Sequence, residues 1–98
     1  MSKPIAILRS LRKETLEGRS GVKHEVNVVD LGNEKYVLLD CRNFEGDISV
    51  ELFKNLIICF DTDLPLLLLV NERPGLLNVI ERIKQLSKLI KIKIIRCD

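Results

Sequence analysis

The chain has few of the residues that build common chemical sites: it has 98 residues with no tryptophan, one histidine, one tyrosine and three cysteines. The odd number and wide spacing of the cysteines, at positions 41, 59 and 97, argue against a disulfide framework and against paired zinc ligands. One histidine with scattered serines and cysteines does not make the nucleophile triad of a hydrolase. One tyrosine and three phenylalanines are too few for a platform on which nucleic-acid bases stack.

The chain also lacks an apolar run long enough to cross a membrane. No stretch reaches the length of a membrane span, and the N-terminus has no signal-peptide core, so we expect a cytoplasmic protein without membrane contact. A composition of 46% hydrophobic and 31% charged residues is typical of a globular chain, and the length predicts a single domain over residues 1–98. No phosphate-loop motif or other sign of a small-molecule cofactor is present.

The charges are unevenly distributed although they sum to only +2. Basic residues dominate the first and last segments, whereas acidic residues dominate the middle. This pattern predicts a basic face for a phosphate backbone. The candidate contacts are Arg9, Arg12, Lys13, Arg19 and Arg42. The alternative interpretation is solvated helix surfaces together with a sheet edge protected by lysines.

Hydrophobic periodicity predicts an α/β fold with a central mixed sheet flanked by helices. We expect a helix over residues 4–17, an antiparallel pair of strands at 24–31 and 35–42 around Gly32-Asn33, and a helix capped by Ser49. The almost unbroken apolar run at 64–70 is typical of a buried strand. A helix from 76 to about 89 and an edge strand at 90–97 complete the order α-β-β-α-β-α-β.

The two strands of the hairpin carry polar residues where burial is expected. Side chains alternate along a strand, so Glu25 and Asn27 share one face of the first strand, with His24 on the other. Asp40 and Arg42 likewise share one face of the second strand. If the strands pair with these faces aligned, four polar groups converge.

This arrangement resembles the PD-(D/E)XK restriction-endonuclease-like superfamily, and most of all its archaeal and Mrr-type members. Their strands often read E-x-D and then V-E-C-K-N, where this chain has Glu25-Val26-Asn27 and residues 39–43, Leu-Asp-Cys-Arg-Asn. Asn27 stands where the family has a metal-binding Asp, Asp40 where it commonly has Glu, and Arg42 where it has Lys. The resemblance implies a restriction-endonuclease-like core with Asn27, Asp40 and Arg42 at the catalytic positions.

The resemblance also implies a metal site that this chain has in altered form. Glu25, Asn27 and Asp40 would be the ligands of Mg²⁺ in an active enzyme, and an acid of the first helix, Glu14 or Glu17, could add another. Asn27 removes a negative charge from this site. Arg42 can clamp a phosphate but cannot act as a base. We therefore expect a catalytically degenerate domain that binds DNA or RNA and needs no cofactor.

Three other interpretations remain open. Asp40 and Arg42 can form a purely structural ion pair. The chain can be an active Mg²⁺-dependent endonuclease. It can also be a non-enzymatic protein-interaction module, either STAS-like or of another small α/β type, with the apolar run at 64–69 continuing into a homodimer interface.

Overall fold

A computed structural model describes residues 3–42, 44, 47–72 and 75–97, without the side chains of residues 3–5, 86 and 87. These residues form a five-stranded mixed sheet with helices on both faces. In chain order the elements are α1 (Lys3–Leu8), β1 (Arg12–Glu17), β2 (Lys23–Leu31), β3 (Glu34–Asp40), α2 (Ile48–Thr62), β4 (Leu66–Val70), α3 (Leu76–Lys84), a 3₁₀ turn (Gln85–Lys88) and β5 (Ile92–Arg96).

The five strands lie in the sheet in the order in which they occur in the chain. β1, β2 and β3 are antiparallel neighbours, whereas β3, β4 and β5 run parallel to one another. Leu31 pairs with Glu34, so the turn between β2 and β3 consists of Gly32 and Asn33. Gly32 has a φ of 64°, the left-handed conformation that such two-residue turns need at their first position. The predicted hairpin is confirmed.

β4 is the interior strand that the run of leucines predicted. Its four leucines, residues 66–69, have no exposed surface, and Val70 retains 1%. A strand can be apolar on both faces only where both faces are covered, and β4 lies between β3 and β5 with helices on either side. Because these leucines are internal, they supply no surface for the homodimer interface expected from this run.

The two faces of the sheet are covered unequally. Helices α2 and α3 cover what we call the two-helix face, where Val28, Val37 and Leu68 pack against Leu52 and other helix residues. The short helix α1 lies on the opposite, α1 face through Ile7. The buried strand residues in contact with it on that face are Val29, Tyr36, Leu38, Leu67 and Leu69. One layer is therefore thick and the other thin.

The helix expected over residues 4–17 is wrong in its second half. Helix α1 ends at Leu8, and residues 12–17 form the edge strand β1, paired with β2 from Arg12↔Val28 to Glu17↔Lys23. Leu16 packs onto the two-helix face, and the residues of β1 alternate between half-buried and exposed. The expected order α-β-β-α-β-α-β therefore lacks one strand.

Two helix boundaries also differ from the expected ones. The N-cap of α2 is Asp47, whose carboxylate accepts a hydrogen bond from the Ser49 backbone N–H at 3.0 Å, and not Ser49 itself. Helix α3 ends at Lys84 and continues as the 3₁₀ turn. Within the described residues, the helices are too short or too polar to cross a membrane.

Candidate functional site

The polar residues singled out on the hairpin lie on one face of the sheet. Glu25 and Asn27 alternate with Val26 and Val28, which belong to the two-helix face, so they point to the α1 face. Asp40 lies two and four residues after Leu38 and Tyr36, so its side chain points to the same α1 face as theirs. Glu25, Asn27 and Asp40 therefore point to the same side of the sheet, although the pairing of β2 with β3 ends at Val28↔Val37, before these residues.

β2 and β3 separate at the level of these residues. Their paired register runs from Leu31↔Glu34 to Val28↔Val37, and its continuation would place Glu25 opposite Asp40. Beyond Val28, however, β2 stays paired with β1, while the end of β3 stays paired with β4. The sheet therefore splits between the two strands that carry the candidate residues.

A pocket of about 240 Å³ lies at this split, and we call it the interstrand pocket. Residues 25–27 line it from β2, and Leu38 and Leu39 line it from β3, so residues that point to either face of the sheet meet at the split. Helix α2 contributes Glu51, Lys54, Asn55 and Ile58. The pocket thus has polar walls of both charges, and it is large enough to admit several water molecules or a phosphate-sized group.

Asp40 and Arg42 form a close ion pair. The Arg42 guanidinium donates to both carboxylate oxygens, at 2.9 and 2.7 Å, and the Arg42 backbone N–H donates to one of them at 3.1 Å. The hydrogen bonds from Arg42 lower the pKa of Asp40, and those to Asp40 raise the pKa of Arg42. β3 ends at Asp40, two residues before the expected end, so Arg42 lies just beyond the strand and its guanidinium occupies the Asp40 carboxylate from there. Asn43, the last residue of the resembling segment, lies outside the described residues.

Glu25 has a much looser partner. Lys13 of β1 approaches it to 3.8 Å, and the two side chains are 71% and 69% exposed. Such an exposed pair contributes about 0–1 kcal/mol to stability. Glu25 and Lys13 are therefore free to exchange partners at little energetic cost.

The acids expected on a first helix lie instead on β1, which changes their possible role. Glu14 alternates with Lys13 and points to the two-helix face, away from Glu25 and Asp40. Its carboxylate accepts hydrogen bonds from Lys35 at 2.8 Å and Arg12 at 2.6 Å, and these bonds lower its pKa. Glu17 is an exposed residue at the end of β1. Among the described residues, no three His, Cys, Asp or Glu side chains are grouped to hold a metal ion.

The five candidate contacts to nucleic acid have different surroundings. Arg9 is exposed after α1, and Lys13 lies on the α1 face with Glu25. Arg12 bonds to Glu14 and, at 2.9 Å, to Asp30, whereas Arg19 donates to the Phe60 carbonyl of α2. Arg42 is paired with Asp40. The structure thus places Lys13 3.8 Å from Glu25, which lines the interstrand pocket, and gives Arg12 and Arg19 partners elsewhere.

Sequence reasoning missed a second polar cluster, centred on Asp61 of α2. Asp61 accepts hydrogen bonds from the Ser20 hydroxyl at 2.7 Å and the Ser20 backbone N–H at 2.9 Å, and its carboxylate lies 2.7 Å from His24 Nε2. The bonds to His24 and Ser20 lower the pKa of Asp61 to about 2. A methyl group on Gly18 would overlap this carboxylate, so glycine is needed there for close approach. The cluster fastens the tip of the β1–β2 hairpin to the last turn of α2.

No local signal points to this cluster, because about 40 residues separate the hairpin tip from Asp61. His24 does lie on the strand face opposite Glu25, as the alternation predicted, and only 15% of its side chain is exposed. The two buried cysteines, Cys41 and Cys59, are poor nucleophiles because burial raises the pKa of each thiol to about 12.

Comparisons with known proteins identify no relative of this chain. No family model, curated protein or solved structure matches the chain at a significant level.

Proposed function

We propose that this chain is a catalytically inactive nuclease-like domain that binds the phosphate backbone of DNA or RNA. The observation that carries the proposal is the split of the sheet between β2 and β3. These are the two strands that resemble the PD-(D/E)XK superfamily, and the interstrand pocket opens between them, beside Glu25 and Asn27.

The order of elements supports a restriction-endonuclease-like core. The strands that carry the resembling residues are adjacent and antiparallel, α2 follows them, and β4 returns parallel to β3. The additional strand β1 extends the sheet on the far side of β2 and leaves this arrangement intact.

Two features of the site favour the loss of catalysis. Asn27 offers a neutral amide where a divalent cation needs charge, and Asp40 is held by three hydrogen bonds from Arg42. A cation that used Asp40 would have to displace a permanently charged guanidinium. Of the described carboxylates, Glu25 of β2 and Glu51 of α2 then line the pocket, and Glu51 already faces Lys54 at 3.6 Å. Such a pair is a weak site for Mg²⁺.

Phosphate binding is compatible with the same surroundings. Lys13 is exposed and only weakly held by Glu25, so a phosphate can replace that carboxylate as its partner. Arg42 can reach a phosphate only by giving up part of its pairing with Asp40. We therefore expect Lys13 to contribute more to affinity than Arg42 does.

Fluorescence anisotropy with labelled duplexes and single strands tests the proposal across a range of salt concentrations. Lys13→Ala should weaken binding and reduce the slope of log K against log salt by roughly 0.9 for duplex DNA. Lys84→Ala is the matched control, because Lys84 also forms an exposed ion pair but lies on α3, across the sheet. Asp40→Asn should strengthen binding by releasing Arg42.

The proposal fails if the unmodified chain binds no nucleic acid even at low salt. It also fails if Lys13→Ala and Lys84→Ala weaken binding equally, since that result indicates an unspecific response to net charge.

A further inference from the structure

Helix α2 is apolar on two sides. Its inner side packs against the sheet through Leu52, Leu56 and Cys59, which are buried. Its outer side carries a second apolar row, which stays largely exposed among the described residues although Arg19 lies over its last member, Phe60. This outer row consists of Val50, Phe53, Ile57 and Phe60, which are 50%, 58%, 65% and 57% exposed.

The outer row is too apolar to be a typical solvent-facing helix surface. A phenylalanine side chain buries roughly 150–250 Å² when fully covered, so the four side chains together present on the order of 400 Å² to water. Contiguous exposed patches of this size commonly mark interaction sites. Two such rows packed together bury roughly 800 Å², and surrounding side chains raise this toward the roughly 1,000 Å² of a specific interface.

The spacing of the outer row identifies the partner that it fits. The intervals from Val50 to Phe60 are three, four and three residues, which is the same sequence of intervals in either direction. When two such helices pack antiparallel, Val50 of one faces Phe60 of the other, and Phe53 faces Ile57. Each contact then joins a smaller side chain with a larger one, as close packing requires.

The charges at the two ends of the row agree with an antiparallel pair. Arg19 lies over the Phe60 ring, 5.4 Å from its centroid, and also donates to the Phe60 carbonyl. The other end of α2 begins at Asp47 and carries Glu51 in its first turn. Antiparallel packing brings the Arg19 of one copy toward the acidic end of the other, whereas parallel packing would bring the two arginines together.

We propose that the outer row of α2 is a homodimer interface in which two copies of this chain pack α2 against α2 in antiparallel orientation. The interface is isologous, so both copies contribute the same residues. The inference rests on the outer row of α2 and on Arg19, and it does not depend on nucleic-acid binding, which is measured by a different readout.

Sedimentation velocity over roughly micromolar to millimolar protein concentrations tests the proposal. The mass should rise from the 11.2 kDa of one chain toward twice that value. Ile57→Lys places a charge at the centre of the row and should raise the dimer dissociation constant by roughly 30-fold or more. Leu89→Lys is the matched control, because Leu89 is 71% exposed but lies outside α2, and it should leave the constant unchanged.

A pair of substitutions tests the orientation. Val50→Phe should weaken the dimer by setting two phenylalanines against each other, and Phe60→Val added to it should restore much of the affinity. In an antiparallel pair these positions touch, so their effects are coupled; in a parallel pair they are far apart and their effects add. Additive effects, a monomer at every concentration, or equal effects of Ile57→Lys and Leu89→Lys would each overturn the proposal.

Discussion

Replacing Leu68 with alanine should destabilise the fold clearly more than replacing its neighbour Leu67. Both side chains belong to β4 and neither has any exposed surface. They point to opposite faces of the sheet: Leu68 packs on the two-helix face and Leu67 on the α1 face. The comparison therefore keeps the chemistry constant and changes only the layer that surrounds the deleted atoms.

The expected loss of unfolding free energy depends on how far each layer can close around the cavity left by the deleted atoms. Fully buried Leu→Ala changes cost about 2.7–5.0 kcal/mol, and the cost grows with the cavity that remains. Leu68 lies under α2 and α3, whose buried residues form a larger cluster, so we expect roughly 4–5 kcal/mol there. Leu67 lies on the face covered by α1, which has 6 residues and can settle inward, so we expect about 3 kcal/mol.

Urea unfolding followed by far-ultraviolet circular dichroism measures both costs, because the chain has no tryptophan to report on unfolding by fluorescence. A chain of this length is stabilised by roughly 5–15 kcal/mol, so Leu68→Ala can prevent folding altogether. The milder change Leu68→Val should then still lower the unfolding free energy more than Leu67→Val does. Equal costs, or a larger cost at Leu67, would refute the description of one thick and one thin layer.

Asp61 should make the fold sensitive to acid: its pKa is lowered from 3.8 to about 2, so the ionised carboxylate contributes stability that is complete above pH 3.8 and is lost as the pH falls toward 2. Urea midpoints measured through this range should fall for the native chain and stay flatter for Asp61→Asn; parallel curves would contradict the role of the cluster. At the candidate site, Asn27→Asp combined with Arg42→Lys should raise the affinity for Mn²⁺ in calorimetric titrations, because it adds one carboxylate and loosens the hold on Asp40. No gain would count against a nuclease-like origin of the site.

The sequence predicts those elements that contain enough apolar residues to show a helix or strand pattern. The hairpin at Gly32-Asn33 and the buried run of β4 are both present as expected. The helical spacing of Ile5, Leu8 and Leu11 predicts a helix that runs on into β1. Leu16 is the one apolar residue of β1, so hydropathy does not show the alternation of that strand. Arg12 and Glu14 are the other half-buried residues of β1 and share the face of Leu16. They form ion pairs with Asp30 of β2 and Lys35 of β3.

The candidate site was predictable in part for a similar reason. The alternation of side chains along a strand is enough to predict that Glu25, Asn27 and Asp40 point to one face. The split between β2 and β3 was not predictable, since it depends on pairing with β1 and β4 and on the attachment of the hairpin tip to Asp61. These are contacts between distant segments, and no local propensity encodes them.

The β1–β2 hairpin is held near both of its ends, and this bears on the width of the interstrand pocket. At one end the backbone ladder from Val28 to Leu31 joins it to β3, and at the other end Ser20 and His24 join it to Asp61. Because the segment is fixed at both ends, it cannot swing about one of them. The distance between β2 and β3 at the pocket is therefore set before a ligand binds. A ligand that fits this width loses little free energy to ordering the protein, whereas a ligand of another size must break contacts that hold the hairpin.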